Sequence, residues 1–206
     1  MYRFFYSLLF YLAVPFIVLK LLWRSLKAPA YRRRWAERFA LASMPEGFDT
    51  SKQTIWIHAV SVGETVASVP LVRQLRQAYP STQIMITTMT PTGSDRVAAL
   101  FGDSVYHQYI PYDLPAAIGR FIDALRPVML ILMETELWPN IIHHCHRQGV
   151  RIVLGNARLS ARSASAAPSP ASNAAWSGAK PGSASPLAHA ASASAASRPA
   201  RDTRAL

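Results

Sequence analysis

Thr54-Ile55-Trp56-Ile57-His58-Ala59-Val60-Ser61-Val62-Gly63-Glu64-Thr65 opens the stretch that decides the fold, Thr54–Tyr79. Ile55–Val60 is an apolar run short enough for a buried strand. Ser61–Glu64 is a tight polar turn, after which Ala67, Leu71, Leu75 and Tyr79 recur every fourth residue, as on one face of a helix. Strand, glycine turn and helix together make the first crossover of a parallel α/β sheet. The turn carries one carboxylate, Glu64, at the start of a helix. That is the edge of the sheet on which such folds bind their ligands.

Towards the C-terminus the same rhythm repeats. Ile84–Thr88 reads as a second strand, followed by Thr90–Gly93 and a helix through Val97, Leu100 and Phe101. Val105–Ile110 is a third strand, and Ile118, Phe121, Ile122 and Leu125 mark the helix after Pro115. Val128–Met133 is an unbroken apolar strand of the kind buried on both faces. Pro139 suits a first helical position, Trp138, Ile141, Ile142 and Cys145 form the apolar stripe, and Gly149 closes that helix. Ile152–Leu154 is a fifth strand. The expected fold is α/β, a Rossmann-like parallel sheet spanning residues 54–164. From Ser165 to Leu206 alanine, serine and proline dominate without periodicity. Such a segment buries too little apolar surface to offset its ordering entropy, so the reading is a disordered tail, residues 165–206.

Towards the N-terminus, Phe4–Leu19 has no charged residue, and Lys20 is the only charge between Arg3 and Arg24. A mainly apolar span of about 20 residues can cross a bilayer. Residues 1–26 read as an uncleaved membrane anchor, with Pro15 and Lys20 leaving an in-plane helix open as the alternative to a spanning one. Ala28-Pro29-Ala30 mimics a signal-peptide cleavage site, but cations crowd both of its sides. Arg24, Lys27, Arg32, Arg33, Arg34 and Arg38 follow, opposed locally by Glu37. Positive charge on this flank puts it on the cytoplasmic side. Tyr31, Trp35 and Phe39, spaced by four, suggest an aromatic stripe on a basic helix. Residues 27–53 thus read as a basic juxtamembrane helix and linker, with Pro45 and Gly47 marking the linker.

A net charge of +11 over 206 residues favours an anionic partner. Next to an apolar anchor, anionic lipid suits these residues better than nucleic acid. Cys145 is the sole cysteine, which excludes an internal disulfide. His143, His144 and His146 do not converge on one ion, because successive helical residues point about 100° apart. There is no Walker loop and no G-x-G-x-x-G, so a nicotinamide dehydrogenase is unsupported.

The loops expected at the carboxyl ends of the strands are Ser61–Glu64, Thr88–Gly93, Pro111–Asp113, Glu134–Trp138 and Asn156–Ser160. Ser61-x-x-Glu64 has the form of a capping box, which holds a glutamate in one orientation. A fixed orientation is also what a general base needs. Glu134 follows a strand expected to be buried, where desolvation disfavours its charge; this sets it ahead of Glu136 as a functional acid. Thr88, Thr90, Thr92 and Ser94 set hydroxyls beside a helix start, with Gly93 allowing close approach, an arrangement that suits a phosphate or an ordinary cap.

In combination these motifs become specific. Lys27-Ala28-Pro29-Ala30-Tyr31-Arg32, His58–Thr65, Thr87–Ser94, Pro111–Pro115, Met133–Asn140 and Asn156–Ser160 occur in that order, and from Met1 to about Ala164 the chain resembles the N-terminal half of bacterial 3-deoxy-D-manno-octulosonic acid (Kdo) transferases. The resemblance implies the N-terminal domain of a GT-B glycosyltransferase anchored at the inner membrane, its catalytic domain on the cytoplasmic face. It implies inverting transfer of Kdo from CMP-Kdo to a lipid A precursor, without a cofactor or a catalytic metal. It puts the proposed base on Glu64 and the transition-state role on Glu134. Acceptor contacts are expected from Ser61, Gly63, Thr90, Thr92, Gly93 and Arg158 on the same edge. The family continues into a donor-binding domain, whereas this chain runs into its Ala/Ser/Pro-rich segment. The expectation is a frameshifted or truncated copy that keeps the acceptor half. The alternative is a non-catalytic, membrane-bound module that binds the lipid A precursor.

Overall fold

The computed structural model describes residues 2–133 and 138–155. Five parallel strands form one sheet: β1 (Thr54–His58), β2 (Gln83–Thr88), β3 (Tyr106–Tyr109), β4 (Pro127–Met133) and β5 (Arg151–Gly155). Their order is β3-β2-β1-β4-β5, that of a doubly wound fold. The five strands expected from the sequence are all present, with ends displaced by one or two residues. The expected disordered tail lies outside the described residues.

Side-chain alternation along β1 explains why this stretch dominates. Ile55 and Ile57 point into one layer with Leu71, Leu75 and Val97. Trp56 points into the opposite layer with Phe121, Ile122 and Leu130. All five residues of β1 are buried, so the strand reads as a continuous apolar run. The helices between strands supply the two layers: α3 (Val62–Ala67), α4 (Val69–Ala78) and α5 (Pro91–Phe101) on one, α6 (Pro115–Leu125) and α7 (Pro139–Arg147) on the other. Each large apolar side chain buried this way contributes about 1.5–3 kcal/mol.

Two local expectations are corrected. The single helix expected through Ala67–Tyr79 is two helices, broken at Ser68, because Pro70 has no amide to continue the hydrogen-bond ladder. The basic juxtamembrane helix is a 3-10 turn at Pro29–Arg32 followed by a single α-turn, α2 (Trp35–Arg38). Arg34 and Ala40 break the continuity: Arg34 has φ 62° and Ala40 has φ 52°. These two left-handed residues fold the segment back on the sheet instead of laying an aromatic stripe along one face.

The N-terminal helix α1 (Tyr2–Lys27) runs for about 39 Å at 1.5 Å per residue. It is apolar and long enough to cross a bilayer, with a mean hydropathy of 2.1 over an 18-residue window. One of its faces nevertheless lies against the domain along nearly its full length: Tyr6, Phe10, Val14 and Ile17 are partly covered, and Leu21 and Ser25 are buried. The opposite face exposes Phe5, Leu9, Leu12, Phe16, Leu19 and Trp23. Near the start of α1, Ser7 Oγ and an Arg3 guanidinium nitrogen donate to Asn140 Oδ1 at 3.2 and 3.4 Å.

Candidate functional site at the carboxyl edge of the sheet

The strand order reverses between β1 and β4, which pair in parallel with His58 opposite Leu132. The crevice beyond such a switch point is where open α/β sheets bind ligands. Glu64 stands at this place, one turn into α3 and 6% exposed. The Val60 amide donates to its Oε2 at 2.7 Å and the Ser61 hydroxyl to its Oε1 at 2.7 Å, while the Glu64 amide donates to Ser61 Oγ at 3.2 Å. This is the capping box with one change. The carboxylate reaches the amide before the cap residue, not that of the cap itself. Both oxygens are thereby held at the end of β1, each with a lone pair left over. Ser61 and Gly63 are exposed beside it.

Behind Glu64, β1 ends in His58, which is wholly buried with Nδ1 2.9 Å from Thr87 Oγ1. Trp56 Nε1 donates to the same hydroxyl at 2.8 Å. Burial pushes the imidazole pKa down to about 4, so the ring is neutral at neutral pH. Its edge meets the Trp138 ring, with centroids 5.4 Å apart. His58 therefore sets the floor of the crevice and carries no charge into it.

The β2–α5 loop forms the next wall. Thr90 is the N-cap of α5, its Oγ1 accepting from the Gly93 amide at 3.1 Å and lying 3.1 Å from Thr92 Oγ1. The Thr90 hydroxyl is thus committed to the helix, while Thr92 is exposed. A Cβ on Gly93 would sit 3.1 Å from Thr88 Cβ and 3.2 Å from Thr90 Oγ1. Gly93→Ala is expected to cost about 1–3 kcal/mol through this overpacking, read as a lowered denaturant midpoint. Beside it His107 bridges Thr88 Oγ1 at 3.0 Å and the Arg34 guanidinium at 3.2 Å. Burial, then the Arg34 charge, lowers the pKa of His107 to about 3.

Glu134, Glu136 and Arg158 lie outside the described residues. The structure thus brings Ser61, Gly63, Glu64, Thr90, Thr92 and Gly93 to one edge of the sheet. Two further participants were not among the expected site residues, although Asp113 lies in a loop expected at this edge. Asp113 is 1% exposed, and its carboxylate accepts from the Asn140 and Ile141 amides at 3.1 and 3.0 Å. It caps α7 from a different loop, because Trp138, the local cap residue, makes no side-chain cap bond. Arg38, expected among the cations of a basic juxtamembrane helix facing anionic lipid, is instead 2% exposed.

Comparison with known proteins identifies the family. Residues 33–178 match the family model described as 3-deoxy-D-manno-octulosonic-acid transferase (kdotransferase). The chain is 52% identical over 167 residues to the 3-deoxy-D-manno-octulosonic acid transferase of Haemophilus influenzae, covering 80% of this chain and 38% of that protein. It is 39% identical over 114 residues to the Bordetella pertussis protein of the same name, covering 53% and 26%. The chain therefore spans well under half the length of these relatives. A crystal structure of UDP-N-acetylglucosamine 2-epimerase, 13% identical, superposes on 58% of this chain and 37% of that one with a TM-score of 0.42. With its motifs in order and the family model matched over most of its length, the chain belongs to the 3-deoxy-D-manno-octulosonic acid transferase family.

Proposed function

We propose that this chain forms the acceptor side of an inverting glycosyltransferase that moves Kdo from CMP-Kdo to a lipid A precursor. The observation that carries this reading is Glu64. Its carboxylate is held by the Val60 amide and the Ser61 hydroxyl at the switch point of the sheet, in a chain of the Kdo transferase family. An acceptor hydroxyl attacks the anomeric carbon of Kdo, Glu64 takes its proton, and the bond to the CMP phosphate breaks with the electron pair leaving on phosphate. A nucleotide phosphate is a stable anion, so the leaving group needs no acid. Glu134 is assigned the transition-state role, and Ser61, Gly63, Thr90, Thr92, Gly93 and Arg158 the acceptor contacts. The reaction in this reading uses no cofactor and no catalytic metal. The test is incorporation of labelled Kdo into lipid A precursor by membranes carrying the chain, alone and with the carboxyl-terminal remainder of the Haemophilus influenzae relative. No transfer in either condition would leave a lipid-binding module in place of an enzyme.

The membrane reading follows from α1. A helix packed on its own domain along one face cannot cross a bilayer without drawing that domain in. In this proposal α1 lies in the plane of the inner membrane, its Phe5–Trp23 face in the acyl boundary, with Arg24, Lys27, Arg32 and Arg33 towards anionic headgroups on the cytoplasmic side. Spin labels at Phe5, Leu12, Phe16 and Trp23 should report nearly equal depths in vesicles. A depth profile peaking at the middle of the helix would mean that it spans.

A further inference from the structure

Arg38 is a buried cation with three of its five N–H donors unpartnered among the described residues. Nη1 donates to the Met89 carbonyl at 3.0 Å, while Nε and Nη2 have no hydrogen-bond partner among the described residues. These two nitrogens form one edge of the guanidinium, the edge that clasps two oxygens of a carboxylate or phosphate. Arg34 shows the same edge in use, with Nε and Nη2 on the two carboxylate oxygens of Glu37. Glu37 is thereby taken, and its Oε2 also accepts from the Tyr109 amide at 2.7 Å. Among the described residues no carboxylate forms an ion pair with Arg38. The Tyr109 ring lies 4.3 Å from the guanidinium carbon and the Tyr31 ring 6.0 Å. Facing rings offset only part of the cost of removing a guanidinium from water.

A second observation shows where a ligand would come from. A cavity of about 220 Å³ lies beneath α1, bordered by Tyr6, Phe10 and Ile17 of that helix and by Met89, Tyr112 and Trp138. Met89 and Tyr112 belong to both places. Met89 holds Arg38 Nη1 by its carbonyl, and the Tyr112 amide donates to the Arg38 carbonyl at 2.9 Å. Burial raises the pKa of the Tyr112 phenol, and the nearby Arg38 guanidinium opposes that rise by its charge and by hydrogen bonding, while Nε and Nη2 find no partner of good geometry among the described residues. Asp113 borders the cavity too, but its carboxylate is engaged by the Asn140 and Ile141 amides. An apolar space therefore adjoins a cation without an ion-pair partner among the described residues, under the helix that exposes a lipid-facing side.

We propose that Arg38 is the receptor for a phosphate-type oxyanion carried on an amphiphile whose apolar part enters the cavity beneath α1. The fork is shut from solvent in this structure. Tyr31, on a four-residue 3-10 turn and the more distant of the two rings, is the side chain that yields to admit the headgroup. The natural ligand's identity as a glycolipid acceptor rests on the function proposed above, but the binding does not. Binding is read without transfer, and transfer is tested through Glu64, so the two readings fail separately.

The test uses the full chain with phosphatidylcholine vesicles containing either phosphatidic acid or phosphatidylglycerol at matched surface charge. The wild type should bind the phosphatidic acid vesicles about tenfold more tightly, since a phosphomonoester presents more oxygens to the fork. Arg38→Lys keeps the charge, loses the fork, and should bring the two affinities together while leaving binding to phosphatidylglycerol intact. A preference that survives in Arg38→Lys overturns the proposal. So does an Arg38-dependent stabilisation by millimolar inorganic phosphate with no preference between the vesicles, which would make free phosphate the ligand. Arg38→Met serves as the folding control. It should melt no lower than the wild type without lipid, because it removes a buried charge that has no ion-pair partner among the described residues. A drop of more than about 5 °C would make Arg38 a structural cation and sink the assignment.

Discussion

Under the proposed function, Glu64→Gln is expected to lower Kdo transfer by the chain combined with the carboxyl-terminal remainder of its Haemophilus influenzae relative by about 10²–10⁴-fold, the range over which general-base catalysis contributes, while moving the unfolding midpoint little. The contrast follows from the geometry of the two oxygens. A glutamine can turn its carbonyl to the Val60 amide and its amino group to Ser61 Oγ, so both anchor points of the side chain persist. What disappears is the ability to accept a proton from an acceptor hydroxyl. Glu64→Asp keeps that ability but shortens the side chain, drawing the carboxylate away from the Val60 amide, and should lose most of the rate as well. Glu64→Ala instead leaves a part-buried amide without a partner and should cost about 1–3 kcal/mol of stability besides abolishing transfer. Initial rates of labelled Kdo incorporation, with urea midpoints on the same proteins, separate these cases. A glutamine variant within about threefold of the wild type would return Ser61–Glu64 to a helix cap and nothing more.

The same loop shows what a sequence can disclose. Trp56, Ile57 and the capping box were legible because their causes are local: alternation along a strand, and a serine three residues before a glutamate. Which amide the glutamate would reach was not, since the choice of Val60 over Ser61 depends on how the turn closes. The break at Ser68 was written in Pro70, yet the periodicity of Ala67, Leu71 and Leu75 masked it, because both helices keep their apolar sides towards the same layer. Arg38 was illegible for a different reason. In a run of arginines nothing local distinguishes the one that turns inward, and the positive φ of Arg34 that turns the backbone is unusual for a residue with a Cβ. The edge of the sheet could thus be located from the strands, while its cation could be found only in three dimensions.

Asp113→Ala should be among the most destabilising single substitutions in the domain, about 3–5 kcal/mol. It leaves two buried amides, Asn140 and Ile141, without an acceptor at the start of α7. Asn140 also donates its side-chain amide to the Asp113 carbonyl at 2.6 Å and accepts from Ser7 of α1, so the loss should spread from α7 to the docking of the N-terminal helix. Asp113→Asn should cost less, because one amide keeps an oxygen. The pH dependence supplies the sharper check. Burial raises the Asp113 carboxyl above its ordinary 3.8, outweighing the Asn140 and Ile141 amides and Tyr6, which lower it. Between 3.8 and the raised value the native state therefore binds more protons than the unfolded state, so this group's contribution is fully present below 3.8 and declines as pH rises through the window. Urea midpoints of the wild type and Asp113→Asn should converge as pH climbs from about 4 to 7, since the uncharged variant has no such dependence. A gap that widens over the same range would mean that the amides and the start of α7 hold the carboxylate charged more strongly than burial opposes it. That result would turn Asp113 from a tolerated buried acid into the electrostatic anchor of the whole edge.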